Sequence, residues 1–167
     1  LAITDLLMPE FDHEMGVTRR LLQRVPDADL DWKPHGRSMT LGQLSTHLAE
    51  LPRWTRTIMR EASYDLESGG TAPRLHSLES IAEVLDAFDR NVAHGRSLLA
   101  GAADAELLAP WSLRRGAHEL FTVPRIAAVR SFIVNHAIHH RGQLSVYLRL
   151  RDVPLPAIYG PSADEGL

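Results

Sequence analysis

Four stretches of the chain place apolar residues three and four positions apart, and each is closed off by proline or glycine. Leu7, Phe11, Met15, Thr18 and Leu22 form the first stripe, and Leu41, Leu44, Leu48, Leu51 and Ile58 the second. Ile81, Val84, Leu85, Phe88, Val92 and Leu99 form the third, and Ile126, Val129, Ile133, Leu144 and Tyr147 lie on the fourth. A period of 3.6 puts such residues on one face of a helix, and four such faces can hide from water only against one another. Nothing alternates strand with helix in the manner of a parallel sheet. The expected fold is therefore all-α, a four-helix bundle, in a single domain covering residues 1–167.

The breakers set the element boundaries. The first helix is expected over residues 5–24, ended by Pro26, with an ordered loop to Ser38 in which Trp32 is the natural anchor. Thr40 and Gln43 have the spacing of a capping box at the start of the second helix, which Pro52 should kink without ending. Residues 66–76 read as a polar loop, Ser77 as the cap of a third helix reaching Ala100, and Gly101 to Pro110 as a break. Trp111 to Phe121 fits a short hairpin or extended excursion. Thr122 is expected to cap the longest helix, about 123–150, with Pro124 in its first turn. The proline-rich tail from about residue 152 should be non-helical. These connections are longer than an up-and-down bundle needs, so crossovers are expected.

Composition excludes several chemistries. With 0 Cys there is no disulfide framework, thiolate nucleophile or iron–sulfur cluster. A net charge of −3, with the basic residues scattered among 21 acids, gives no footprint for nucleic acid. No apolar run approaches the ~18 residues of a membrane span, and the N-terminus lacks the order of a secretion signal. A soluble cytoplasmic protein is the expectation. Glycine-rich phosphate loops and the Gly-x-Ser-x-Gly elbow of serine hydrolases are missing, and the single lysine, Lys33, sits in a loop.

The unusual quantity is 9 His. His136 and His140 continue the apolar stripe of the last helix and stand one above the other on its inward face. Two stacked imidazoles in an apolar wall are hard to satisfy, and a divalent cation that takes one nitrogen from each resolves the conflict. His47 lies beside the stripe of the second helix, where it can meet that pair. Three histidines with an open position for water or substrate make a catalytic arrangement, not a closed structural one. The bland alternative makes His47 a core-edge residue bonded to backbone or to Glu50. Glu14 falls on the inner shoulder of the first helix, where it could handle a proton or hold a ligand's outer nitrogen, or else pair with an arginine. His139, about 100° around the helix from His140, reads as a flanking residue. Arg141 suits an anionic group or an inter-helix salt bridge, and Trp32 and Tyr159 suit either the mouth of a site or packing.

The run Asn135-His136-Ala137-Ile138-His139-His140-Arg141-Gly142-Gln143-Leu144, continued by Tyr147-Leu148-Arg149 and by Pro154-x-Pro156-x-x-Tyr159-Gly160-Pro161, resembles the DinB-like (DinB/YfiT) superfamily. Trp32-Lys33-Pro34-His35, Ser38 to Leu44 ending at His47, and Leu120-Phe121-Thr122-x-Pro124-Arg125 are similar to the same family. The resemblance implies a four-helix bundle of unusual connectivity and a divalent metal, usually nickel or zinc, on the positions of His47, His136 and His140. It also implies homodimers, and it lifts Glu14 as an acidic position before Thr18-Arg19-Arg20. Relatives of known activity include thiol-dependent S-transferases and isomerases. The expectation that follows is a metal-dependent enzyme, first a thiol-dependent S-transferase acting on a small electrophile with a low-molecular-weight thiol as cosubstrate. The alternatives are a metal-dependent hydrolase acting through activated water, and a non-catalytic metal-binding bundle.

Overall fold

The computed structural model describes residues 1–68 and 76–166. Its helices are α1 (Ile3–Leu22), α2 (Leu41–Glu50), α3 (Trp54–Arg60), α4 (Ile81–Ala100), α5 (Asp104–Leu108), α6 (Arg125–Val129) and α7 (Asn135–Leu150). Its strands are β1 (Ser63–Asp65), β2 (Pro110–Arg115) and β3 (His118–Pro124). Most of the loop expected over 66–76, residues 69–75, lies outside the described residues.

The stripes face one core. Phe11, Leu21, Leu44, Leu48, Ile58, Val84, Phe88, Leu99, Val129, Ile133 and Leu144 are all essentially inaccessible to water. α1 packs on α4 and α7, and α2 packs on the same two, so the order around the bundle is α1, α4, α2, α7. Pairings along each seam give the directions. Arg19 pairs with Asp89 and Arg96 with Asp12, so α4 runs against α1. Thr46 accepts from Leu78 N just ahead of α4, the Ala49 carbonyl from Asn91, and Thr55 lies against Gly95, so α2–α3 runs with α4. His47 beside His136, Trp54 on Phe132 and the Met59 carbonyl on Arg125 make the last helical span antiparallel to α2–α3. In chain order the spans therefore run up, down, down, up. The parallel α2–α4 step requires a connection that returns the length of the bundle, which is the crossover expected from the long loops.

The capping box forms as expected: Thr40 Oγ1 accepts from Gln43 N and Gln43 Oε1 from Thr40 N. Pro52 turns residues Leu51–Arg53 into one 3₁₀ turn, after which the helix resumes.

Four expectations are corrected. The fold is not purely all-α, because a three-stranded sheet of order β1-β2-β3 is built onto the bundle. The hairpin is longer than expected, turns at Gly116 with φ +57°, and carries β1 in parallel on its other side, with Ser63 opposite Ser112. Ser80, not Ser77, caps α4, since Ser77 Oγ is turned to the Leu78 carbonyl while Leu78 N is held by Thr46 across α2. Thr122 does not cap the last helix. Its hydroxyl pairs with that of Ser112 across the ladder at 2.5 Å, so the strand runs on to Pro124 and the helix begins at Arg125. The last helix is also interrupted by a π turn at Arg130–Val134.

After Asp152 the tail is non-helical and tied down along its length. Arg20 donates to the Ala157 carbonyl at 2.9 Å, Asp164 accepts from Arg149 and from Leu155 N, and Glu165 accepts from Ala157 N.

Candidate metal centre

Because α2 and α7 run antiparallel and share a seam, the inward positions of both meet at mid-bundle. His47 comes from α2, and His136 and His140 come from successive turns of α7. One nitrogen from each ring lies within 4.8 Å of the other two. His136 Nε2 is 2.9 Å from His140 Nε2 and 3.4 Å from His47 Nε2. His140 is buried and the other two rings are partly buried.

The outer hydrogen bonds decide what these nitrogens can do. His140 Nδ1 donates to Gln143 Oε1 at 2.7 Å, which leaves its Nε2 bare in the neutral ring. The Phe132 backbone, one turn earlier, pulls His136 upward as a hydrogen-bond acceptor does, and a ring that turns Nδ1–H to it has its lone pair on Nε2. In that tautomer two lone pairs face each other at 2.9 Å. Protonation is no remedy. Burial, then the neighbouring imidazoles, push His47 down to about 4. Burial likewise lowers His136 and His140, against the upward pull of their outer hydrogen bonds. A cation satisfies all three. Nitrogens about 2.0–2.1 Å from a common ion lie about 2.9 Å apart at a right angle and about 3.4 Å apart at the tetrahedral angle, matching the two separations here. Neutral imidazoles with anchored outer nitrogens suit zinc and nickel equally.

The alternative for His47, a bond to Glu50, is not what forms: Glu50 turns to Arg53 and His76. His139 is exposed, its ring 4.9 Å from that of His140. Glu14 is only 6% exposed, and its carboxylate accepts from Arg141 Nη2 at 2.6 Å and from the Tyr159 hydroxyl at 2.9 and 3.0 Å. Arg141 is fully buried and also donates to the Glu14 carbonyl and to Thr18. Of the two readings open for Arg141, the salt bridge between helices is the one that forms. Trp32 packs edge-on against Tyr147 under the Arg151 guanidinium. His13 stacks on Tyr159 at 6.4 Å.

Two contributors are not identifiable as such from residue types. One is Gln143, whose only signal is its place three residues after His140; the other is the Phe132 carbonyl, which carries no side-chain signature. An open groove of about 350 Å³ adjoins the triad, lined by Ser131, Phe132, Asn135 and His136. A smaller cavity of about 130 Å³ between α3 and the end of α4 is lined by none of the three histidines.

A sequence model of the DinB superfamily matches residues 10–144, which include all three histidines and Glu14. The chain belongs to the DinB superfamily. Among solved structures of DinB-like proteins, one from Bacillus cereus ATCC 10987 superposes with a TM-score of 0.71 at 19% identity, covering 95% of this chain and 98% of the other. YfiT from Bacillus subtilis superposes with a TM-score of 0.63 at 15% identity, covering 90% and 88%. YfiT is described as a probable metal-dependent hydrolase with an unusual four-helix bundle topology. At these identities the likeness is one of fold, and it agrees with the up-down-down-up order. The uncharacterized protein YrdA from Bacillus subtilis (strain 168) is 44% identical over 34 residues, a stretch spanning 20% of its length and of this chain.

Proposed function

We propose that this DinB-superfamily protein is a metal-dependent enzyme whose single divalent cation, nickel or zinc, is held by His47, His136 and His140. The observation that carries the proposal is the convergence of one nitrogen from each of the three rings within 4.8 Å, with His136 Nε2 2.9 Å from His140 Nε2 and 3.4 Å from His47 Nε2. A cation bound there supplies Lewis acidity that favours the deprotonated form of a thiol or a water. The reaction proposed first is S-transfer, in which a low-molecular-weight thiol loses its proton and its sulfur forms a bond to a carbon of a small electrophile while that carbon's bond to a leaving group breaks, the leaving group taking the electron pair and then the proton. With 0 Cys in the chain, the sulfur belongs to a cosubstrate. Hydrolysis is the second reading, supported by the fold shared with YfiT.

The chain's own groups divide the remaining work. Gln143 and the Phe132 carbonyl hold two imidazoles in one tautomer. Glu14 is the carboxylate proposed to take up the proton, and it would do so by exchanging a hydrogen bond from Arg141 or Tyr159. A homodimer is part of the same proposal, and the exposed Val146 and Leu150 at the end of α7 offer it an apolar contact. A reducing cytoplasm is the compartment that keeps such a thiol free; no helix among the described residues is long and apolar enough to cross a membrane.

Elemental analysis of untagged protein tests the centre, with about one nickel or zinc per chain expected and none in His136→Ala. Turnover of a panel of electrophiles with and without thiols then separates the two reactions. Loss of product without thiol supports transfer, and thiol-independent cleavage of esters or amides supports hydrolysis. Protein that takes up no metal even on reconstitution overturns both.

A further inference from the structure

The groove beside the triad is chemically one-sided. Its lining residues Ser131, Phe132, Asn135 and His136 include no acid, lysine or arginine, and its surface is mostly apolar. Its volume of about 350 Å³ is within the range of small-molecule sites. Phe132, at its floor, belongs to an aromatic cluster. Trp54 stacks on it at 5.5 Å, Phe121 at 6.2 Å, and Trp111 meets it edge-on at 5.5 Å. The groove and the triad share His136, and Phe132 contributes its ring to the groove and its carbonyl to the His136 imidazole. Ser131 and Phe132 belong to the π turn Arg130–Val134 and Asn135 and His136 follow it directly, a local widening of the kind that recurs at functional sites.

We infer that this groove holds the apolar, ring-sized part of a neutral electrophile, whose reactive atom is thereby presented at the imidazole triad. The inference rests on the proposed metal centre and adds the substrate class to it. A carboxylate or ammonium placed here would lose water and gain no ionic partner, whereas an aryl-sized group would cover Phe132 at no such cost. The Ser131 hydroxyl and the Asn135 amide at the rim are suited to a carbonyl or amide that joins the ring to the reacting centre. A charged thiol cosubstrate therefore approaches from outside the groove.

Two hydroxamates that chelate metal alike and differ only in phenyl against methyl read this directly. Zinc-loaded protein is expected to bind benzohydroxamate about tenfold more tightly than acetohydroxamate, from the ring area covered. Asn135→Phe, which fills the groove from an exposed position, is expected to erase that preference and leave zinc content unchanged. A second arm needs no metal. Benzamide at millimolar concentration is expected to shift the indole N–H resonances of Trp54 and Trp111 and leave that of Trp32, which packs on Tyr147. Equal affinities for the two hydroxamates, or a preference that survives Asn135→Phe, overturn the groove while the metal centre stands. Protein that loads no zinc overturns the centre, and the benzamide arm then decides the groove, which falls if no indole moves.

Discussion

Gln143 bonds His140 within α7 and Glu14 reaches the adjacent Arg141 from α1, yet the two act on different quantities. Gln143 touches the site through one bond, from His140 Nδ1 at 2.7 Å. Replacing it by leucine removes the acceptor that fixes which nitrogen is bare. Zinc affinity is expected to fall about 10–100-fold, read by competition with a chelating dye, while the urea midpoint of the metal-free protein hardly moves. Glu14 is different, because its partner Arg141 is buried with it and loses the carboxylate it pairs with among the described residues when Glu14 becomes glutamine. An uncompensated buried guanidinium costs about 3–5 kcal/mol, so Glu14→Gln is expected to lower the denaturant midpoint sharply whatever its part in chemistry. The proposed proton role has a separate readout. Turnover per folded molecule, measured where the variant is fully native, falls only if the carboxylate takes the proton. Tyr159 completes the group: burial of its hydroxyl and the bond it donates to Glu14 push the phenol above its ordinary value, against the pull of Arg141.

At the scale of elements, the tail is held by charge and is therefore sensitive to acid. The Arg149 guanidinium and the Leu155 amide keep the Asp164 carboxyl below its usual range. A carboxylate depressed in the folded state stabilises fully above its unfolded value of about 4 and stops doing so as pH falls through the lower, folded value. The protection of the Leu155 amide, its exchange measured against the intrinsic rate at each pH, is expected to fall in that acid window, and Asp164→Asn to bring the same fall at neutral pH. The stripes Leu7 to Leu22, Ile81 to Leu99 and Ile126 to Tyr147 located three long helical spans within a few residues, because burial on one face leaves a period that residue types display. The tail was legible from Pro154, Pro156 and Pro161 for the opposite reason. What stayed hidden has no local signature. β1 is three residues long and finds its partners Ser112 to Arg114 about 50 positions away. Thr122, two before a proline, has the local pattern of a helix start, and only the ladder with Ser112 keeps it in a strand. The π turn changes which carbonyl meets which amide without changing the apolar spacing. The three histidines were legible because they interrupt apolar stripes, whereas their orientation depends on a glutamine and a carbonyl that no stripe marks.

For the whole molecule, the triad joins two spans far apart in the chain, since α2 and α7 are separated in sequence by the crossover, α4 and the sheet. A ligand that binds only where those spans are docked stabilises the native state by mass action, about 2.7 kcal/mol at a hundredfold excess over Kd. For a domain of this size that corresponds to a rise in Tm of about 5–10 °C on adding zinc or nickel. Calorimetry should show the rise in the unmodified protein and lose it in both His47→Leu and His136→Leu. The same variants carry a second, opposite expectation. The three imidazoles are held neutral by burial, and His136 and His140 oppose bare lone pairs at 2.9 Å, so without metal they strain the seam they occupy. Replacing His136 by leucine removes one of those lone pairs and adds apolar area, so the metal-free variant should melt no lower than the metal-free parent. A bundle that used these histidines only as core polar residues would also tolerate the leucine or gain from it, but would show no metal effect in the parent, so the rise in Tm on adding metal is what separates the two.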